Sequence, residues 1–152
     1  WAHRRARPAR VVRLTRAAWP HLKSRRGSVV NIAGVGGRNP GTEFTIGGSV
    51  NAALLTFTKG LADVGVRDGI QVNAINPGCI RTDRLKARIR QRVASTGETI
   101  EQAEARIVAE AESVRLGEPD DIAHLVSFLV APQARYLQGA LIDADGGQTK
   151  TV

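Results

Sequence analysis

The stretch NAALLTFTKGLADVGVRDGIQVNAINPG, residues 51–78, changes its hydrophobic period once, and that change decides the fold. With Val50 just before it, Ala53, Leu54, Phe57, Leu61 and Val64 recur at spacings of three and four, while Thr56, Lys59 and Asp63 fall on other faces. The first part therefore reads as an amphipathic helix. Arg67-Asp68-Gly69 makes a turn, and IQVNAIN at 70–76 is a short apolar run stopped by Pro77-Gly78, as a buried strand would be.

Working outward, SVVNIA at 28–33 supplies a second buried strand before the helix. GVGGRNPGTEF at 34–44 holds too much Gly and Pro for anything but loop, and the helix after it is expected to open on Gly48 or Ser49 as N-cap. VVRLTRAAWPHLK at 11–23 places Val11, Leu14, Ala18 and Leu22 on one face of an earlier helix, which Pro20 can kink. Residues 83–113 read as two helical pieces broken near 95–97, with Thr99 and Gln102 spaced for a capping box. RLKARIRQRV within them also alternates with a period of two, which leaves a strand open there. Pro119 suits the first turn of a helix running to Pro132, and GALIDADGG at 139–147 reads as a last strand ending in a glycine turn. Strand, helix, strand, helices, strand predicts an α/β fold: three parallel strands joined by right-handed crossovers and covered on both faces.

Composition sets the outer limits. A chain of 152 residues, 42% hydrophobic and 24% charged, supports one domain with a real core, and no apolar run approaches the roughly 20 residues that span a bilayer. Nine Lys or Arg and no acid fall in residues 1–26, against 13 basic and 14 acidic residues afterwards, so the net charge of +8 resides at one end. That arm could attract phosphates, but no zinc-finger spacing, helix-turn-helix pattern or aromatic row accompanies it, and a solvated helix face is the reading preferred over nucleic-acid binding. The single cysteine, Cys79, excludes an internal disulfide and agrees with a cytoplasmic location; no secretory signal is recognisable. A start at Trp1 and the absence of Met give the expectation of a fragment.

Four segments, RGSVVNIAG at 26–34, NAALLTFTKGLA at 51–62, IQVNAINPGCIRTD at 70–83, and RLGEPDDIAHLVSFLVAP at 115–132 with GALIDADGG at 139–147, together resemble the C-terminal half of a short-chain dehydrogenase/reductase. The resemblance implies a doubly wound Rossmann-type sheet of which these strands are the fifth, sixth and seventh. It also implies hydride transfer between NAD or NADP and an alcohol or carbonyl substrate. Residues 1–152 would then form a single partial domain without the N-terminal cofactor-binding half. The family's glycine-rich turn has no counterpart: Gly34-Val35-Gly36-Gly37 has the wrong spacing and no helix opens directly from it.

In that family a Ser orients the substrate oxygen, a Tyr passes the proton and a Lys four residues later lowers the Tyr pKa, a gap that puts both groups on one helix face. Aligned residue by residue, the resemblance puts Gly34 at the Ser place, Gly47 at the Tyr place and Asn51 at the Lys place, with the family's own separation between 34 and 47. Its fourth member, an Asn, would fall near Arg7 or Pro8. No catalytic residue is therefore expected intact. The loop Pro77, Gly78, Ile80, Thr82 resembles the one that meets the nicotinamide carboxamide, and Asn51 can still bond a ribose hydroxyl. Residues 83–113 correspond to the substrate lid.

Substitutes for the proton donor are weak. Lys59 lies eight residues beyond Asn51 and roughly 80° around the helix. Thr45 and Ser49 are unassisted hydroxyls, and Tyr136 belongs to a distant segment with a packing or surface role. Cys79 reads as a small apolar filler before a reactive thiol, and His3, His21 and His124 do not cluster as metal ligands. Three functions stay open: an oxidoreductase of this family, a non-catalytic binding or assembly subunit that pairs with its own kind through helices 9–25 and 48–66, or a truncated product without function.

Overall fold

The computed structural model describes residues 2–150, apart from the side chains of residues 2–7 and 43. His3 and the basic residues Arg4, Arg5 and Arg7 therefore lie outside the described side chains, and with them the Arg7 place of the fourth family residue. The element order is α1 (Ala2–Arg25), β1 (Ser28–Ile32), α2 (Thr45–Asp68), β2 (Gln71–Pro77), α3 (Asp83–Thr96), α4 (Ile100–Glu110), α5 (Pro119–Val130) and β3 (Leu141–Ala144). The three strands form one parallel sheet in the order β1-β2-β3, with Val30 opposite Asn73 and Ile75 opposite Ile142. This is the expected α/β arrangement.

Alternation along β2 sorts its two faces. Val72 and Ala74, both without exposed surface, pack with Leu54, Leu55 and Ala62 of α2, and α1 lies beyond through Val11, Trp19 and Leu22. Gln71 and Asn73 point the other way, where their amides hold the carbonyls of Ala134 and Leu137. There α5 packs against β1 and β2 with Leu129 fully buried. Asp68 fastens α1 to α2 by accepting from Trp19 Nε1 at 2.7 Å and Lys23 Nζ at 2.6 Å. Among the described residues no helix is long and apolar enough to cross a membrane.

Several expectations are corrected. The α2 helix opens at Thr45 with Phe44 at its N-cap, not on Gly48 or Ser49; Ser49 Oγ donates to Thr45 O within the first turns. Its sheet-facing side is Asn51, Leu54, Leu55, Thr58, Ala62 and Gly65, about a quarter of a turn from the stripe of Phe57 and Leu61. Phe57 and Leu61 instead pack at the margin where Val11, Trp19 and Leu22 of α1 arrive, so one helix serves two neighbours. In α1, Thr15 is buried and Leu14 stands 72% exposed, because Val11, Thr15, Trp19 and Leu22 form the stripe that meets α2. The first helix is also longer than 11–23, and the 34–44 loop contains two short 3-10 turns at Val35–Gly37 and Thr42–Phe44.

RLKARIRQRV is helical, since Leu85 and Ile89, four apart, are the residues buried against Ala103 of α4 and Leu116. The break after Thr96 and the reciprocal bonds of Thr99 and Gln102 are as expected, at 3.2 and 2.9 Å. Pro119 is in the first turn of α5.

Candidate functional site

The carboxyl ends of β1 and β2 deliver two loops to the start of α2, which is where an open parallel sheet presents a crevice. Ala33 N–H continues the ladder onto Ile75 O at 2.9 Å, and the chain then turns at Gly34, whose φ of +144° favours glycine. A Cβ on Gly34 would stand 2.9 Å from Asn51 Nδ2 and 3.9 Å from Pro77 O. Gly34, Asn51 and Pro77 thus meet, although 17 and 26 residues separate them along the chain. Asn51 is buried, 5% exposed.

Gly47, one turn before Asn51, faces a different neighbour. A Cβ there would fall 2.2 Å from Cζ of Phe44 and 2.5 Å from Cε1. One on Gly36 would fall 2.9 Å from Cδ1 of the same ring, and one on Gly48 would fall 2.6 Å from Gly36 O. Backbone of the β1 loop rests directly on the helix start, as only glycines permit.

The other residues expected at the nicotinamide edge diverge. Gly78 abuts Asp145, since a Cβ there would be 2.9 Å from Asp145 Cα. Ile80 pairs with Gly117 in an isolated bridge, flanked by Arg81 N–H to Gly117 O and Gly117 N–H to Cys79 O. Thr82 is exposed at the N-cap of α3, without a side-chain capping bond. Arg81 ties this loop to α4 and α5 through Glu104 at 2.8 Å and Glu118 at 3.0 Å. A cleft of about 260 Å³ opens alongside, walled by Gly78, Cys79, Ile80, Arg115, Asp121 and Asp145. Arg115, bonded to both Asp121 oxygens, together with the Glu118 N–H holds that carboxyl well below the usual carboxylate range.

Burial pushes the Cys79 thiol up despite Arg88, which disfavours a reactive thiolate. Lys59 and Thr45 are exposed, Ser49 is engaged with its own helix, and Tyr136 is fully exposed. His21 and His124 are exposed and separate, and among the described residues no group of three His, Cys, Asp or Glu could hold a metal.

Four participants escaped sequence reasoning. Arg38 reaches from the β1 loop to Asp143 on β3 at 3.2 Å, and Asp143 also accepts from the buried Asn76 Nδ2 at 2.8 Å. The fourth is Phe44. The available signal was polarity out of place: Asn76 interrupts a buried strand, and Arg38 is the sole cation of its loop.

Comparison with known proteins agrees with this architecture. The family model described as Enoyl-(Acyl carrier protein) reductase matches residues 9–149. An acetoacetyl-CoA reductase of Shinella zoogloeoides is 36% identical over 136 residues, 89% of this chain and 52% of that protein. The NADPH-dependent reductase BacG of Bacillus subtilis is 31% identical over 83% of this chain and 49% of its own length. The crystal structure of L-sorbose reductase from Gluconobacter frateurii, complexed with NADPH and L-sorbose, superposes with a TM-score of 0.89 at 29% identity, covering 93% of this chain and 55% of that one. The chain spans about half the length of the curated relatives it matches.

Proposed function

The chain belongs to the short-chain dehydrogenase/reductase family, and from that membership we propose that it carries the substrate-side half of an NAD(P)-dependent alcohol or carbonyl oxidoreductase and transfers no hydride by itself. The observation that carries the reading is the meeting of Gly34, Asn51 and Pro77 one helical turn from Gly47. The scaffold of the family's active centre is retained there, while the groups at its Ser, Tyr and Lys places cannot donate a proton or supply a positive charge. The Asn51 amide donates and accepts hydrogen bonds without titrating.

The residues present fit one end of a dinucleotide. By the resemblance Pro77, Gly78, Ile80 and Thr82 would face a nicotinamide and Asn51 a ribose hydroxyl; of these, Asn51 and Pro77 O both lie within 4 Å of where a Gly34 Cβ would stand. A bound NAD or NADP would supply the hydride; NADPH is the form named for BacG and the L-sorbose reductase complex. This chain's own part would be to hold and orient the ring, with residues 83–113 as the cover of a small alcohol or carbonyl compound.

The test is to follow nicotinamide absorbance with the purified chain, NADH or NADPH, and a panel including acetoacetyl-CoA and ketose sugars. No consumption above the protein-free blank is expected. A rate that Asn51→Ala abolishes would refute the silent-centre reading.

Self-association through α1 and α2 is a second role, favoured by Leu14, 72% exposed, and Val12, 42% exposed, on α1. Gel filtration should give a dimer or larger species that Leu14→Glu shifts toward monomer; a monomeric native chain would remove this reading.

A further inference from the structure

We propose that Phe44 is the resident occupant of the proton-donor position. Its ring fills the space that any side chain at 47 would claim, and so the active centre is closed by the chain's own aromatic group. The inference rests on reading Gly34, Gly47 and Asn51 as the active centre.

The four glycines of α2 make the comparison internal to one helix. At Gly60 a Cβ would meet nothing within 4 Å. Alanine there removes the conformational cost of glycine in a helix and should stabilise the chain. At Gly47 the same methyl would lie 2.2, 2.4 and 2.5 Å from three carbons of the Phe44 ring, closer than atoms can approach. Gly36 makes room for the same ring, because a Cβ there would stand 2.9 Å from Cδ1. Phe44 sits at the N-cap with φ −124° and ψ 22°, immediately before the helix, so its ring folds back over the first turn.

The tyrosine place is therefore not an open gap awaiting a side chain or a ligand. A side chain at 47 or at 36 would require the Phe44 ring to shift from the place it holds. For a substrate carbonyl to approach Asn51 across the Gly47 face, the ring has to leave.

A double-mutant cycle read by thermal unfolding of the full chain tests this. Gly47→Ala is expected to lower the midpoint by roughly 5 °C in the native background. In the Phe44→Ala background it is expected to raise the midpoint by a few degrees, as Gly60→Ala does in both backgrounds. This reversal of sign is the signature of occupancy. If Phe44→Ala fails to fold, Phe44→Leu, which removes the ring tip while keeping apolar bulk, serves in its place with the same expected reversal. A second readout is the proton spectrum: Gly47 and Gly36 resonances displaced by the ring should return toward ordinary values in either Phe44 variant and stay put in Gly60→Ala.

Equal effects of Gly47→Ala in both backgrounds, or glycine resonances indifferent to residue 44, would overturn the proposal. Neither readout involves a dinucleotide. Turnover by the native chain would sink the proposed function and leave the cycle intact, whereas an additive cycle would sink Phe44 occupancy and leave the silent centre standing.

Discussion

Gly47→Tyr, the substitution that would restore the family's proton donor, is expected to destabilise the chain by about 3 kcal/mol without creating activity. The new Cβ would overlap the Phe44 ring at 2.2 Å, and a phenol is far too large to share that seat. Phe44 would be driven into solvent, so overpacking and lost aromatic burial act together. For a domain of this size the loss corresponds to roughly 6–12 °C in the unfolding midpoint, a large share of the usual 5–15 kcal/mol of stability.

Activity would still be missing. Asn51 supplies no ammonium to lower the phenol pKa, and a serine at 34 would need φ +144° with its Cβ 2.9 Å from Asn51 Nδ2. Reversion thus requires residues 34, 44, 47 and 51 to change together. Chemical denaturation and a nicotinamide assay check both halves; a Gly47→Tyr protein as stable as the native one would show that the seat is larger than the geometry allows.

Asn73→Ala is expected to cost about 3–4 kcal/mol, the largest effect of a single truncation outside the apolar core. Asn73 is wholly buried, donates to Leu137 O at 2.9 Å and accepts from Ala140 N–H at 2.9 Å. Alanine would orphan the Ala140 N–H, leave Leu137 O with only its 3.1 Å bond from Gln71 Nε2, and open a cavity on the sheet. The same connection is held by Gln71 to Ala134 O at 2.6 Å, and by Gln138 to Val72 N–H at 3.0 Å and Ala62 O at 2.7 Å. With one member gone, the lead-in to β3 should loosen before the sheet does. The expected readings are a lowered urea midpoint and faster hydrogen exchange at Ala140. Native-like protection at Ala140 would mean that Gln71 and Gln138 suffice.

The regular elements were legible because their signals are local. The Thr99 and Gln102 capping box, Pro119 at a helix start and the stop at Pro77-Gly78 each act within a few residues, and each stands where expected. Facing was read less well. Leu14 follows the apolar period of α1 yet faces out, and the stripe of Phe57 and Leu61 is not the sheet-facing side of α2. A helix with two neighbours buries two faces, and periodicity registers the more apolar one. Here the sheet-facing side carries polar residues whose bonds are made across the fold: Thr58 is fully buried, donating to Leu54 O and accepting from Asn31 Nδ2.

By itself the sequence determined the α/β class, the three parallel strands, the family, and which residue types stand at 34, 47 and 51. The class and the strands follow from periods and breakers that act locally, and the family and its places at 34, 47 and 51 from the resemblance of four segments along the chain. Only the tertiary structure decided that Gly34, Asn51 and Pro77 meet, that Arg38 crosses to Asp143, and that the Phe44 ring takes the place above Gly47. Such contacts arise when crossovers bring separate strand ends together, and close packing then leaves room for one arrangement of side chains that no local rule encodes.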